Sequence, residues 1–391
     1  MKVLITTDWY RPVVNGVVTS VLSLADGLTA LGAEVRILTL SGDMHSRTDG
    51  NVTYLGSIGV GKIYPNARLK TAPSSKYIRE LVDWRPDVVH SQCEFSTFFL
   101  AKKIAEACDC PLVHTYHTVY EDFTHYFSPS VRFGKAMAAA FSKSILAKTD
   151  SVIVPTGKVR DMLLRYGVKT PISVVPSGLE LGQFEALPDE NGRNALRTSL
   201  GVGQNDRVLL FLGRLAQEKN IDELLELMTI ETDKHLRLLL VGDGPYRAQL
   251  EEKAKTLGLG ERVIFGGMVK PCEVAKYYAL GDVFVSASQS ETQGLTYIEA
   301  MASGLPLLCR DDPCLANVIQ NGVNGLTYGN SDEFAAKLHS LIRDDSYRQK
   351  LGEAARETAF RHFSSEGFAG SVLNEYRALL LPIGEEAVSA A

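Results

Sequence analysis

In FLGRLAQEKN, residues 211–220, Arg214 and Lys219 stand five positions apart across a turn that follows an apolar run. At the end of a strand, an arginine fork and a lysine point charge can clamp a diphosphate. Taken singly, each is as well explained as a solvated surface charge. In SETQGLTYIEA, residues 290–300, Glu291 and Glu299 enclose seven residues, Gly294 among them. Thr296 and Glu299 have the spacing of a capping box, which predicts a helix start near Thr296, with Gly304 and Pro306 ending that helix. Amides at such a start, over 294–297, make a phosphate seat, and Gly294 offers no side chain to a close ligand. Phosphate and Glu299 would compete for the same positive helix end. A functional Glu299 must therefore hold hydrogen-bond donors, such as ribose hydroxyls, while an inert one only caps the helix. Glu291 precedes the helix and is either a plain loop acid or an acceptor for sugar hydroxyls. His117, near the end of an apolar run, would by itself be a structural histidine.

These groups need a frame. Short runs rich in Val, Ile and Leu recur at 3–7, 35–40, 88–90, 112–116, 151–154 and 172–175, and again at 208–212, 236–241, 263–265, 282–287 and 305–309. Each precedes a turn and a longer amphipathic stretch. Continuous apolar runs fit strands covered on both faces, and their alternation with helices fits right-handed β-α-β units. The pattern appears twice, so the expected class is α/β, with two Rossmann-like, doubly wound parallel-sheet domains. With 391 residues the chain is long enough for two cores. Residues 176–193, rich in Gly and Pro and without periodicity, contain the expected boundary. The expected domains are 1–180 and 181–365. A final helix at 366–381 is followed by Pro382, Gly384 and a frayed tail over 385–391. Ligands of open parallel sheets bind outside the carboxyl ends of the strands, which puts the turns holding Asn15-Gly16, Gly213-Arg214, 242–245 and Gln293-Gly294 under scrutiny.

Together these segments resemble retaining glycosyltransferases of family 4. The E-x7-E spacing with Gly294 inside it is similar to that family's donor site. DWYRPVVNGVVTSV at the start, HTYHTVYEDFTHY at 114–126, VVPSGLELGQF at 174–184, GRLAQEKN and VGDGP resemble further family segments, with Ser177 where Asn is commoner. The resemblance covers nearly the whole chain. It implies the GT-B fold, two Rossmann-like domains facing a central cleft, with a UDP-sugar donor and no cofactor. It implies that Arg214 and Lys219 bind the diphosphate and that Glu299 binds ribose. Glu291, with Gly294, Leu295 and Thr296, would hold the donor, and Gly16 would let a loop pass close to the phosphates. His117 would line the sugar pocket. The base, uracil by this reading, is placed near 268–271, with Val269 as its contact, on position alone. No metal is demanded: Asp311-Asp312 lacks metal-binding spacing. The resemblance also implies front-face departure and attack as the route to retention, and with no convincing enzyme nucleophile double displacement is the weaker alternative.

The acceptor is sought in the first half. Residues 1–180 carry 20 Lys and Arg against 16 Asp and Glu, a net +4, while the whole chain is −5, leaving −9 for the rest. A basic front half suits an anionic surface. Residues 123–149 lack Asp and Glu, and Arg132, Lys135 and Lys143 share one helical arc beside Phe133, Met137 and Phe141. This is either a helix lying on an anionic membrane or a core helix with solvated cations. The segments around 114–126 and 290–301 resemble the branch of the family that glucosylates diacylglycerol. That branch implies UDP-glucose as donor and diacylglycerol as acceptor; the alternatives are a family 4 enzyme acting on another lipid or on a soluble sugar or polyol, and a non-catalytic protein that binds nucleotide sugars. It also implies an enzyme peripheral on the cytoplasmic face of the membrane. No run approaches membrane-spanning length, no nucleic-acid partner is expected, and the six cysteines show no paired C-x-x-C spacing, as reduced thiols would.

Overall fold

A computed structural model describes residues 1–60, 68–70, 75–121, 130–186 and 188–381. The aromatics at Phe123, Tyr126 and Phe127, and the tail from Pro382, lie outside the described residues. The chain divides into two compact units, one of Met1–Gly178 with the segment from Ser365 onward, the other of Leu179–Ser364.

The first unit is built on β1 (Lys2–Thr7), β2 (Glu34–Leu40), β3 (Arg47–Asp49), β4 (Val52–Leu55), β7 (Val88–Ser91), β8 (Leu112–Thr115), β9 (Ser151–Val154) and β10 (Ile172–Val174), with a small separate ribbon of β5 (Ser57–Gly59) and β6 (Arg68–Lys70). The main sheet runs β10-β9-β8-β7-β1-β2-β4-β3 and is parallel except for β3. Strands β1, β7, β8 and β9 are buried almost throughout, as strands covered on both faces must be. The helix Ser365–Leu380 returns to this unit and packs on the helix Gly16–Ala30 through Phe368, Ala369, Val372 and Tyr376. Their close approach requires glycine at 27, where a Cβ would lie 2.7 Å from that of Ala369. The Tyr376 hydroxyl meets His90 Nδ1 at 2.6 Å, and His90 Nε2 meets Thr115 Oγ1 at 2.7 Å. Complete burial holds His90 well below its ordinary pKa, so this buried link is uncharged.

The second unit holds β11 (Arg207–Leu212), β12 (Leu236–Val241), β13 (Val263–Gly267), β14 (Val283–Ser286), β15 (Leu307–Arg310) and β16 (Gly325–Tyr328) in one parallel sheet, ordered β13-β12-β11-β14-β15-β16. Two hydrophobic layers, centred on Leu210, Phe284 and Ile298 on one side and Leu209, Leu225 and Leu240 on the other, cover its faces. The stretch 176–193 is less irregular than its composition suggests: a helix, Glu190–Ser199, begins within it, and the acidic run supplies its cap, with Asp189 accepting from the Gly192 amide at 2.8 Å.

Each sheet has one place where the chain reverses its direction of strand addition. In the first unit it lies between β1 and β7, in the second between β11 and β14. There the loops from two neighbouring strands leave the sheet on opposite faces and open a crevice at their carboxyl ends.

Candidate functional site

The reversal in the second unit gathers most of the residues singled out from sequence. Strand β11 delivers Arg214 and Lys219 on the loop that follows it, and β14 delivers Glu291 on the loop after it. The Lys219 ammonium meets Glu291 Oε1 at 2.5 Å, with both side chains mostly buried. Arg214 pairs with Glu218, whose carboxylate is almost fully enclosed and keeps its second oxygen without a protein partner among the described residues. The two loops are tied together by Ser290 Oγ, which donates to the Glu218 carbonyl at 2.9 Å. Two cations, each held by a carboxylate, thus lie on the one loop that leaves β11. An incoming diphosphate would compete with those carboxylates for the two cations.

Glycines shape the arginine loop from behind. Gly242 has φ +133°, and a Cβ there would stand 1.9 Å from the Gly213 carbonyl oxygen; one at Gly244 would stand 2.3 Å from that of Leu215. Leu215 N–H donates to the Asp243 carbonyl at 3.0 Å. The V-G-D-G-P segment therefore serves by letting two backbones touch.

The helix after β14 corrects the sequence reading. It spans Leu295–Ala302 and its N-cap is Gly294, at φ 76°, with no side-chain cap. Thr296 lies inside the first turn, and Glu299 lies too deep in the helix to form the expected capping box. Instead, Glu299 accepts from the Tyr278 hydroxyl at 2.8 Å. Gly294 is required here, since a Cβ would meet the Tyr297 ring at 2.4 Å. The amides of Leu295 and Thr296 precede the first intrahelical bond, as a phosphate or sugar seat needs. Desolvation raises the Glu299 carboxyl from 4.5 to about 7, against the opposing effect of the Tyr278 bond. Val269 follows β13 and packs half-buried against the core, beside the exposed Met268. Tyr278 and Glu218 went unnoticed in the sequence; Glu218, adjacent to Lys219, was the more visible of the two.

In the first unit, Gly16 opens its helix, capped by Asn15, whose side chain accepts from the Val18 amide at 2.9 Å. His117 Nε2 meets Gln92 Oε1 at 2.7 Å. Burial, only partly offset by Glu94, holds His117 down to about 4, so near neutrality it is an uncharged donor to that amide oxygen. The helix Val131–Leu146 buries Gly134, Ala138, Ser142, Ile145 and Leu146, leaving Arg132, Phe133, Lys135 and Lys143 exposed. Phe141 differs from Phe133: it turns inward and stacks on Phe95 with ring centroids 5.8 Å apart.

Family profiles match the chain in two parts, Glycosyltransferase Family 4 over residues 14–183 and Glycosyl transferases group 1 over 192–358. Alpha-monoglucosyldiacylglycerol synthase of Streptococcus pneumoniae is 36% identical over 370 residues, covering 93% of this chain and 83% of that protein. The chain belongs to glycosyltransferase family 4. A second family 4 relative, the alpha-monoglucosyldiacylglycerol synthase of Acholeplasma laidlawii, is 31% identical over 390 residues, covering 97% of this chain and 98% of that protein. Among solved structures, Anabaena HepE in complex with UDP-glucose superposes with a TM-score of 0.76 at 18% identity, covering 97% of this chain and 100% of that one. That likeness is one of fold, and the fold of this family 4 glycosyltransferase is GT-B, with two Rossmann-like parallel-sheet domains.

The raised Glu299 carboxyl gives a testable pH dependence. Without ligand, it favours the fold fully below its ordinary 4.5 and loses that contribution as pH rises through about 7. If Glu299 holds the ribose of a nucleotide, the ribose hydroxyls would donate to the ionised form and bind better once the proton has left. UDP affinity, measured by calorimetry from about pH 6 to 8, should therefore rise through about 7. In Glu299→Gln that component should disappear, leaving only the titration of the nucleotide itself.

Proposed function

We propose that this chain transfers glucose from UDP-glucose to the free hydroxyl of diacylglycerol at a membrane surface, with retention at the anomeric carbon and without a metal. What carries the reading is the cation pair Arg214 and Lys219 at the reversal point of the second sheet, beside the helix start at Leu295. The bond from the anomeric carbon to the β-phosphate oxygen breaks, and its electron pair leaves on UDP. Arg214, Lys219 and the helix amides are placed to neutralise that charge as it develops. The lipid oxygen bonds to the same face of the sugar, and its proton leaves on a phosphate oxygen. Glu299 holds the ribose and Glu291 the sugar hydroxyls, with Val269 near the base. The choice of glucose and diacylglycerol is supported by the two relatives named for that product.

Membrane attachment is supported by the helix Val131–Leu146. No helix among the described residues is long and apolar enough to cross a membrane. This helix buries Gly134, Ala138, Ser142, Ile145 and Leu146, while Val131, Phe133 and Met137 stay 62%, 62% and 45% exposed beside exposed Arg132, Lys135 and Lys143. Large apolar side chains facing outward among cations fit insertion into an anionic interface better than a place in the core. Flotation with phosphatidylglycerol vesicles tests it. The chain should float and Phe133→Asp/Met137→Asp should lose about 10-fold or more of that binding with its melting temperature unchanged. Equal flotation of both proteins would rule out this face as the anchor. Transfer of labelled glucose to diacylglycerol in the same vesicles tests the reaction.

A further inference from the structure

The reversal point of the first sheet, between β1 and β7, also carries buried polar groups to which the donor reading gives no direct role. The loop after β1 begins with Asp8, and the loop after β7 holds Gln92, Cys93 and Glu94, all at most 4% exposed. Asp8 Oδ1 accepts from the Thr97 amide at 2.8 Å, and burial raises its carboxyl to about 6. It is accounted for as the anchor of the following helix. Glu94 and Gln92 are not accounted for in that way. The Tyr120 hydroxyl donates to Glu94 Oε2 at 2.6 Å, and His114 Nε2 lies at a long 3.4 Å from Oε1. A carboxylate offers about four lone-pair sites, so two remain for other donors. Gln92 is 2% exposed, and its Nε2 has no partner among the described residues; nor has His114 Nδ1. Leaving an amide donor buried and unpaired is costly, so Gln92 Nε2 calls for a partner that a bound ligand would supply.

The surroundings say what kind of ligand. Phe95, next in sequence to Glu94, is 42% exposed, and Phe99 is 53% exposed. Phe95 stacks on Phe141 and meets Tyr120 edge-on at 6.2 Å, so an apolar aromatic shelf adjoins the buried polar groups. One strong acceptor, one unpaired donor and an apolar approach match a lipid alcohol with a carbonyl beside its hydroxyl. They do not match a free sugar, which would need many polar partners.

We propose that Glu94 and Gln92 form the acceptor site, with Glu94 accepting the hydrogen bond of the lipid's free hydroxyl and Gln92 Nε2 donating to a neighbouring ester carbonyl. Tyr120 and His114 hold the Glu94 carboxylate in position. The assignment concerns loading of the acceptor; no bond is made or broken at Glu94. It rests on the transfer to diacylglycerol proposed above.

The test uses the full chain with UDP-glucose and dioleoylglycerol in phosphatidylglycerol vesicles. Four readouts are compared: transfer rate against acceptor content, donor hydrolysis without acceptor, UDP affinity, and melting temperature. For Glu94→Gln, transfer should fall about 30-fold or more, with the acceptor content giving half-maximal rate shifted upward, because the lipid hydroxyl then meets a neutral amide in place of a carboxylate. Donor hydrolysis and UDP affinity should stay within about 2-fold of the unaltered chain. Tyr120→Phe should give the same split at about 3- to 10-fold, and it decides the matter alone if Glu94→Gln fails to fold. Transfer unaffected by these changes, or transfer and donor hydrolysis falling together, would overturn the assignment and leave the functional reading standing. An unaltered chain that hydrolyses UDP-glucose but never glucosylates the lipid would remove both.

Discussion

Lys219→Ala should lower glucosyl transfer by about 10²- to 10³-fold while the protein remains folded. The ammonium sits at the end of β11, four-fifths buried, 2.5 Å from Glu291 Oε1. In a site of that depth it stabilises a departing diphosphate far more than it would in water. Its removal leaves Glu291 without this partner beside an arriving anion, so affinity for UDP should fall as well. Lys219→Arg is expected to restore binding better than rate, because the longer planar fork cannot place its charge where the ammonium stood. Steady-state kinetics together with UDP calorimetry separate the two effects. Transfer reduced less than about 3-fold in Lys219→Ala would mean that the diphosphate lies elsewhere.

Glu291→Ala should produce the opposite pattern in binding. Transfer is expected to fall by about 10²-fold or more, because the group proposed to hold the sugar hydroxyls is gone. UDP, which lacks the sugar, should bind as well as before or about 3-fold tighter, since Lys219 is then free to meet the phosphate without first giving up a carboxylate. The proposed exchange of Glu291 for phosphate at Lys219 starts from the 2.5 Å pair and predicts that contrast. If UDP binding weakened in parallel with transfer, Glu291 would be a support for the loop and not a sugar ligand.

Much of the frame was legible because buried parallel strands announce themselves. The runs at 208–212, 236–241 and 151–154 lie on β11, β12 and β9 almost residue for residue. Strand β4 gave no such signal: of Val52-Thr53-Tyr54-Leu55, only the ends are aliphatic, and the pairing with β2 supplies what the pattern lacks. Strand β16, Gly325–Tyr328, is likewise fixed by its register on β15. The residues proposed to hold the donor stood out because charges at strand ends are conspicuous and their spacing resembles a family. The capping box was misjudged because spacing alone cannot tell an N-cap from a residue inside the first turn; Gly294, with positive φ, took the cap and left Glu299 to Tyr278. Gln92 and Glu94 were missed for a related reason. Nothing in S-Q-C-E-F marks it as chemistry until the sheet order places it at a reversal point.

The most direct test is transfer itself. Purified chain, UDP-glucose and diacylglycerol in anionic vesicles should give a monoglucosyl lipid whose sugar proton resonances identify the α-anomer, in the presence of a chelator. A β-linked product, or glucose delivered only to soluble sugars or polyols and never to the lipid, would contradict it.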